Sequence, residues 1–131
     1  MANELTIGKS NTLSLYSEFT VGELLKPLQN EIMLFKTYIA GITHLDDDEP
    51  VDELRLNDKL ILKRQPENKF DENAILVLDQ KERKLGYVPE KDNIVFTRLM
   101  DAGKYLTAKV VEIDDDDYFR KVRIEIYLVD F

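Results

Sequence analysis

Side chains able to attack, protonate or ligate are scarce in this chain. It holds one histidine, His44, and no cysteine. Disulfides, thiolate nucleophiles and thiolate- or histidine-rich metal sites are thereby excluded. A serine hydrolase needs its serine on a sharp turn such as G-x-S-x-G, and a phosphate-cradling loop needs G-x-x-x-x-G-K-S/T. Neither pattern is present, nor is G-x-G-x-x-G. Asp114–Asp117 could offer oxygens to a hard cation, but four consecutive Asp with no central Gly and no Glu at the twelfth position do not make an EF-hand. The run reads as a solvated loop, as does the acid-rich stretch 46–53. The chain is expected to bind rather than catalyse, with no cofactor and no metal.

The most informative segment for binding is Arg64-Gln65-Pro66-Glu67-Asn68-Lys69-Phe70-Asp71-Glu72-Asn73-Ala74-Ile75-Leu76-Val77. Asn68, Asp71 and Asn73 have a plain role as turn makers, because short polar side chains bond their own backbone. Phe70 either enters the core or stands out of an otherwise polar turn. In the second case, with Lys63, Arg64 and Lys69 beside it, it forms the basic-plus-aromatic surface on which unpaired bases stack.

The elements that must position this segment follow from patterning. Residues 1–34 are expected to form an arm, weakly patterned over 1–19, with a short strand near Leu13–Tyr16. A helix should start at the capping box Thr20-Val21-Gly22-Glu23 and stop near Pro27. The domain proper is expected over 35–131. Its first strand lies within Met33–Ile42, rich in aromatic and β-branched residues. Asp58–Arg64, Asn73–Leu78 and Leu85–Val88 read as a meander. Pro89 suits a helix start, Val95 and Leu99 pair at i,i+4, and Gly103 suits its stop. Tyr105–Ile113 and the alternating Val122, Ile124, Ile126 and Leu128 read as a closing hairpin. The expected fold is mainly β: a small, partly open barrel of five or six strands, SH3-like or OB-like. One helix is inserted before the last two strands, and a short helix precedes them all.

A chain of 131 residues suits one compact domain. No apolar run approaches the ~20 residues of a membrane span, and the start has no basic end followed by an apolar stretch, so no signal peptide is expected. A reducing, cytoplasmic location fits. The formal charge of −8 opposes a phosphate-bearing partner at first sight. Yet 11 of the 26 acidic residues fall within 46–53 and 112–117, which leaves 15 acidic against 18 basic elsewhere. Net charge alone does not exclude an anionic ligand.

Three blocks in order resemble the HIRAN domain family. The run R-x-P-x-N-x-F-D-x-N-A-I-x-V, from Arg64 to Val77, is similar to that family's core motif. Tyr38-Ile39-Ala40-Gly41-Ile42 is similar to its opening strand, and Lys84-Leu85-Gly86-Tyr87-Val88-Pro89 to its G-Y-V-P segment. The resemblance spans about Lys36 to Val111. It implies an OB-like, SH3-related barrel, found both free-standing in bacteria and attached to helicase-like remodelling ATPases. It also implies capture of a single-stranded DNA 3′ end in DNA repair or processing. In that scheme two rings stack on terminal bases and an aspartate bonds the 3′ hydroxyl. Carried over, Phe70 is the second ring, His44 the first, Asp71 the aspartate and Asn68 a backbone contact. With the basic neighbours and the motif tyrosine, the expected nucleic-acid-binding set is His44, Lys63, Arg64, Asn68, Lys69, Phe70, Asp71 and Tyr87. Thr43 and Glu90 stand where the DNA-binding pattern is basic. Any ATPase activity would belong to a fused or partner protein, and a helicase-like or other protein is the candidate partner. The alternative is a protein-interaction module using Phe35, Tyr38, Phe70, Tyr87, Tyr118 and Phe119 as rings, with acidic loops drawing a basic partner.

Overall fold

Alternation of apolar and polar residues produces six strands, and the computed structural model describes them within residues 30–116 and 119–130. They are β1 (Asn30–Tyr38), β2 (Lys59–Arg64), β3 (Ile75–Leu78), β4 (Lys84–Tyr87), β5 (Tyr105–Asp115) and β6 (Arg120–Asp130). Two α-helices accompany them among the described residues: a single turn, α1 (Glu49–Asp52), and α2 (Asn93–Asp101). The expected strand near Leu13–Tyr16, the capping box at Thr20, the helix after it and Tyr118 lie outside the described residues. β1 begins ahead of the expected division between arm and barrel.

The strands form one sheet in the order β1-β6-β5-β2-β3-β4. β2–β3, β3–β4, β2–β5 and β5–β6 are all antiparallel. The inward residues of each strand make a single core: Leu60 and Leu62, Ile75 and Val77, Leu85, Leu106, Ala108 and Val110, then Val122, Ile124 and Ile126. Each large aliphatic side chain there contributes roughly 1.5–3 kcal/mol by leaving water. α2 caps this core with Phe96, whose ring meets that of Phe35 at 5.7 Å between centroids. This is the mainly β, OB-like open barrel expected from the patterning.

The sheet's two ends meet at one short seam. Ala40 N–H donates to Tyr87 O (2.7 Å) and Tyr87 N–H donates to Ala40 O (2.9 Å), while the adjacent Ile39 N–H donates to Val122 O (2.9 Å). The seam is possible because residue 86 is glycine. A Cβ built on Gly86 would lie 2.3 Å from Ala40 O and 2.6 Å from Ile39 Cγ2. Gly41 follows at φ +82°, a left-handed turn that suits glycine. It leads into a 3-10 turn at Ile42–His44.

Two local expectations are corrected. Pro89 does not start a helix: it opens a turn, with Asp92 N–H donating to Pro89 O (2.9 Å), and α2 begins at Asn93. The stretch 46–53 is not wholly a solvated loop either. Pro50 and Val51 are buried within α1, and Glu49 and Glu53 reach Arg83 at 3.8 and 2.7 Å.

Candidate functional site

The loop joining β2 to β3 is built from its own polar side chains. Gln65 N–H donates to Ala74 O (3.0 Å), closing the base of the loop. Asn68 organises its tip: its Oδ1 accepts from Phe70 N–H (2.8 Å) and Asp71 N–H (3.0 Å), and its Nδ2 donates to Gln65 Oε1 (2.8 Å). Asp71 Oδ1 accepts from Asn73 N–H (2.9 Å). These are the side-chain-to-backbone bonds that favour Asn and Asp in turns.

The consequence is an ejected phenylalanine. With Asn68 holding the N–H groups on either side of the tip, Phe70 points away from the core and is 93% exposed. A ring this exposed adds nothing to the core and its face is open to a ligand. It stands at the rim of a cleft of about 670 Å³. The floor comprises Ala40, Gly41 and Tyr87, so the cleft lies directly over the β4 seam.

The polar groups in this cleft are held in fixed positions. Tyr87 donates its hydroxyl to Gln65 Oε1 (2.9 Å), and Asn68 Nδ2 lies 3.4 Å from the same hydroxyl. Asp71 Oδ2 accepts from Asn93 Nδ2 (2.8 Å), and Asn93 is buried at the start of α2. Each Asp71 oxygen thus has one protein partner and one remaining lone pair, at a half-buried position facing the cleft. Lys84 places its ammonium 4.8 Å from the centre of the Tyr87 ring, a cation–π geometry. Lys69 adds a second ammonium at the rim, and Glu67 and Glu90 add carboxylates. With Asp71, acids outnumber bases in the cleft itself.

Of the expected binding set, Asn68, Lys69, Phe70, Asp71 and Tyr87 converge on this cleft, and three residues do not line it. His44 is exposed on the 3-10 turn beyond Gly41 and does not line the cleft, whereas Ala40 and Gly41 do. Lys63 projects from the outer face of β2, because its neighbours Leu62 and Arg64 turn the other way. Arg64 is spent internally. Its Nε and one terminal nitrogen bind Asp101 at 2.9 and 3.3 Å, and its guanidinium also donates to Ala74 O and Glu72 O at 2.7 and 3.1 Å. It fastens the loop to α2 from behind.

Reading the sequence missed Gln65, Lys84 and Asn93. Gln65 sits inside the motif and carried a signal by position. Asn93 carried none, since its partner Asp71 is 22 residues away. Strict alternation would put Lys84 and Tyr87 on opposite faces of β4. A register shift in the β3–β4 pairing, where Leu78 faces Lys84 and Val77 faces Gly86, undoes that.

No grouping of three histidine or acidic side chains that could hold a metal occurs among the described residues. None of the described helices is long and apolar enough to cross a membrane.

A family model of the HIRAN domain matches residues 32–129. Among solved structures, a crystal structure of a protein from Lactobacillus plantarum is 25% identical, with a TM-score of 0.72, over 79% of this chain and 99% of that one. The crystal structure of the HIRAN domain of human HLTF is 15% identical, with a TM-score of 0.60, over 76% of this chain and 78% of that one. The second likeness is one of fold. No curated protein matches.

Proposed function

The chain belongs to the HIRAN domain family, a family of nucleic-acid-binding modules, and from that premise we propose that its cleft captures the 3′ end of single-stranded DNA. The observation that carries this reading is Phe70: a ring 93% exposed, at the rim of a cleft whose polar groups are already fixed by the protein. Phe70 stacks on one base, a contact of roughly 1–3 kcal/mol. Tyr87, with the Lys84 ammonium over its ring, supplies a second apolar wall. Asp71 accepts the terminal 3′ hydroxyl on a lone pair that Asn73 and Asn93 leave open, and Asn68 keeps the loop in the conformation that presents both residues.

The acidity of the cleft sharpens the reading. Glu67, Asp71 and Glu90 would repel a phosphate lodged among them. A strand terminus with a free hydroxyl brings no phosphate beyond its last sugar. Affinity then rests on stacking and hydrogen bonds, with few phosphate contacts. On this reading the domain has no catalytic step of its own, and processing of the captured end falls to a fused or partner enzyme of the helicase-like kind.

The test compares two labelled oligonucleotides that differ only at the 3′ terminus, hydroxyl against phosphate, by fluorescence anisotropy at low salt. The hydroxyl form is expected to bind at least tenfold more tightly. Equal affinities would remove the end-recognition role of Asp71.

A second reading, a protein-interaction module, is favoured by a different place. Met33 and Phe35 of β1 and Ile94 and Val95 of α2 are large apolar side chains 39–60% exposed, a composition suited to a protein partner. Those residues are separate from the cleft lining, so the two readings do not compete for one surface. A nuclease-insensitive pulldown that is lost in Ile94→Glu but retained in Phe70→Ala would support it.

A further inference from the structure

α2 buries three residues, and two of them are polar: Asn93 and Thr97, beside Phe96. The buried face of a surface helix is ordinarily apolar, because an amide or hydroxyl taken out of water costs free energy unless it is bonded. Asn93 is 3% exposed and Thr97 1%. Both spend their donors on the loop between β2 and β3. Asn93 Nδ2 donates to Asp71 Oδ2 (2.8 Å), and Thr97 Oγ1 donates to Asn73 O (2.6 Å). Asp101 continues the row by accepting from Arg64 Nε (2.9 Å). Positions 93, 97 and 101 are spaced i, i+4, i+8, which sets them one above another along one side of the helix. α2 therefore presents a polar stripe to the loop that carries Phe70 and Asp71.

The three members of the stripe hold different things. Asp101 holds Arg64, at the base of the loop, and Thr97 holds a backbone carbonyl. Asn93 alone holds a side chain that faces the cleft. We propose that Asn93 is the positioning residue that gives the cleft its preference for a terminal hydroxyl, by fixing where the Asp71 carboxylate points. The inference rests on the end-binding reading of the cleft. It deepens that reading by assigning its specificity to a buried residue that does not line the cleft.

The geometry explains why an amide suits this place. The last torsion of an aspartate is broad, so a carboxylate bonded through one oxygen can still turn. Asn73 N–H occupies Oδ1 and Asn93 Nδ2 occupies Oδ2, which anchors the Asp71 carboxylate at both oxygens. Aim matters, because a hydrogen bond weakens steeply once its angle falls below ~120°. Both anchors are neutral N–H donors. A guanidinium or ammonium at position 93 would hold the carboxylate equally well but would cancel its charge. The amide leaves that charge whole, to accept a hydroxyl and to repel a phosphate.

The experiment measures binding of 5′-labelled oligothymidylates that end in a 3′ hydroxyl or in a 3′-deoxy sugar, by fluorescence anisotropy at low salt. The proteins are the full chain, Asn93→Leu, Asn93→Ala and Arg64→Ala. Leu keeps the branched shape of Asn without its donor, and Ala guards against a poor fit of Leu. The deoxy end offers Asp71 nothing, so it reports stacking and loop integrity alone. Wild type is expected to favour the hydroxyl end. Both Asn93 variants should lose about fivefold on the hydroxyl strand, the size of one net hydrogen bond, and almost nothing on the deoxy strand. Arg64→Ala loosens the loop at the far end of the stripe and should keep the wild-type preference. An Asn93 variant pair that keeps that preference would overturn this inference and leave the cleft reading standing. Equal losses on both strands, with early melting, would make Asn93 a structural residue only and overturn it as well. So would an equal loss of preference in Arg64→Ala, since any loosening of α2 would then have the same effect. A wild type indifferent to the 3′ hydroxyl would overturn the end-binding reading and this inference together.

Discussion

Four arginines and three lysines of this protein fall into two contrasting settings. On the acid-rich side, Arg83 binds Asp79, Glu53 and Glu49, and Arg120 bridges Asp52 of α1 to Asp115 of β5. Arg123 binds Glu112, and Arg64 binds Asp101. Each guanidinium fork is matched to carboxylates, the pairing its planar geometry favours. On the cleft side, Lys84 lies over Tyr87, while Lys91 and Lys121 lie over Tyr38. A ring does not neutralise an ammonium, and although Lys91 also touches Asp92 (2.9 Å), these lysines keep charge to offer a ligand. The same net composition is consumed on one side and open on the other. Where the charges are consumed, substitutions should cost stability. Where they are open, substitutions should cost binding.

The seam beneath the cleft should give the largest effect. Gly86→Ala would force a methyl group against Ala40 O, a backbone atom that cannot swing aside. A loss of about 3 kcal/mol or more is expected, read as a fall in the denaturation midpoint in urea. A melting curve like that of wild type would mean the seam can open freely, and the cleft floor would then not be a fixed structure. Next comes Arg64→Ala, which removes a donor from Glu72 O and from Asp101 and leaves Ala74 O with Gln65 N–H alone. A loss of about 2 kcal/mol is expected, with oligonucleotide affinity unchanged once the folded fraction is accounted for. A variant that folds normally but binds poorly would move Arg64 from the consumed class to the open one.

This division also explains how far the sequence could be read. Strands were legible because alternation is local: Val122, Ile124 and Ile126 announce β6 without help from any other segment. The loop motif was legible for the same reason, since Asn68 and Asp71 act on N–H groups within three residues of themselves. Arg64 could not be read this way. Beside Phe70 it looks like a ligand contact, and only the packing of α2 brings Asp101, 37 residues on, to claim it. Lys84 was overlooked for the converse reason, because the register shift that turns it toward Tyr87 belongs to the β3–β4 pairing. The Lys91–Tyr38–Lys121 cluster draws on β1, β6 and the turn before α2, and no window of sequence contains it. Pro89 misled through a sound rule: proline does favour a first helical turn, but here the turn Pro89–Asp92 intervenes.

Phe70→Ala is the counterpart on the open side. Its ring is 93% exposed, so removal should leave stability within about 0.5 kcal/mol of wild type in thermal melting. Strand affinity should fall by about 1.5 kcal/mol, near the middle of the range for one base stacked on one ring, and Phe70→Trp should retain or improve it. A variant that melts early and binds normally would return Phe70 to the structural class and reverse the contrast between the two sides.

The smallest effect tests the consumed side through pH. Arg83 donates to Glu53 Oε1 at 2.7 Å, and this bond, with the guanidinium's charge, holds the Glu53 carboxyl below its ordinary pKa. The folded state therefore takes up the Glu53 proton less readily than the unfolded chain does. The pair's contribution is complete above the unfolded value, near 4.3, and is lost as pH falls through the lowered folded value. Both groups face solvent, so the contribution is small and screened by salt. Melting of wild type and Glu53→Gln should differ slightly and by a constant amount between pH 6 and 8, with Glu53→Gln the lower. The gap should narrow as pH drops below about 4.3 and close in stronger acid. A gap that widens in acid would reverse the sign of the linkage. The Arg83 cluster would then be a place where charge is tolerated rather than one where it holds α1 against the β3–β4 turn.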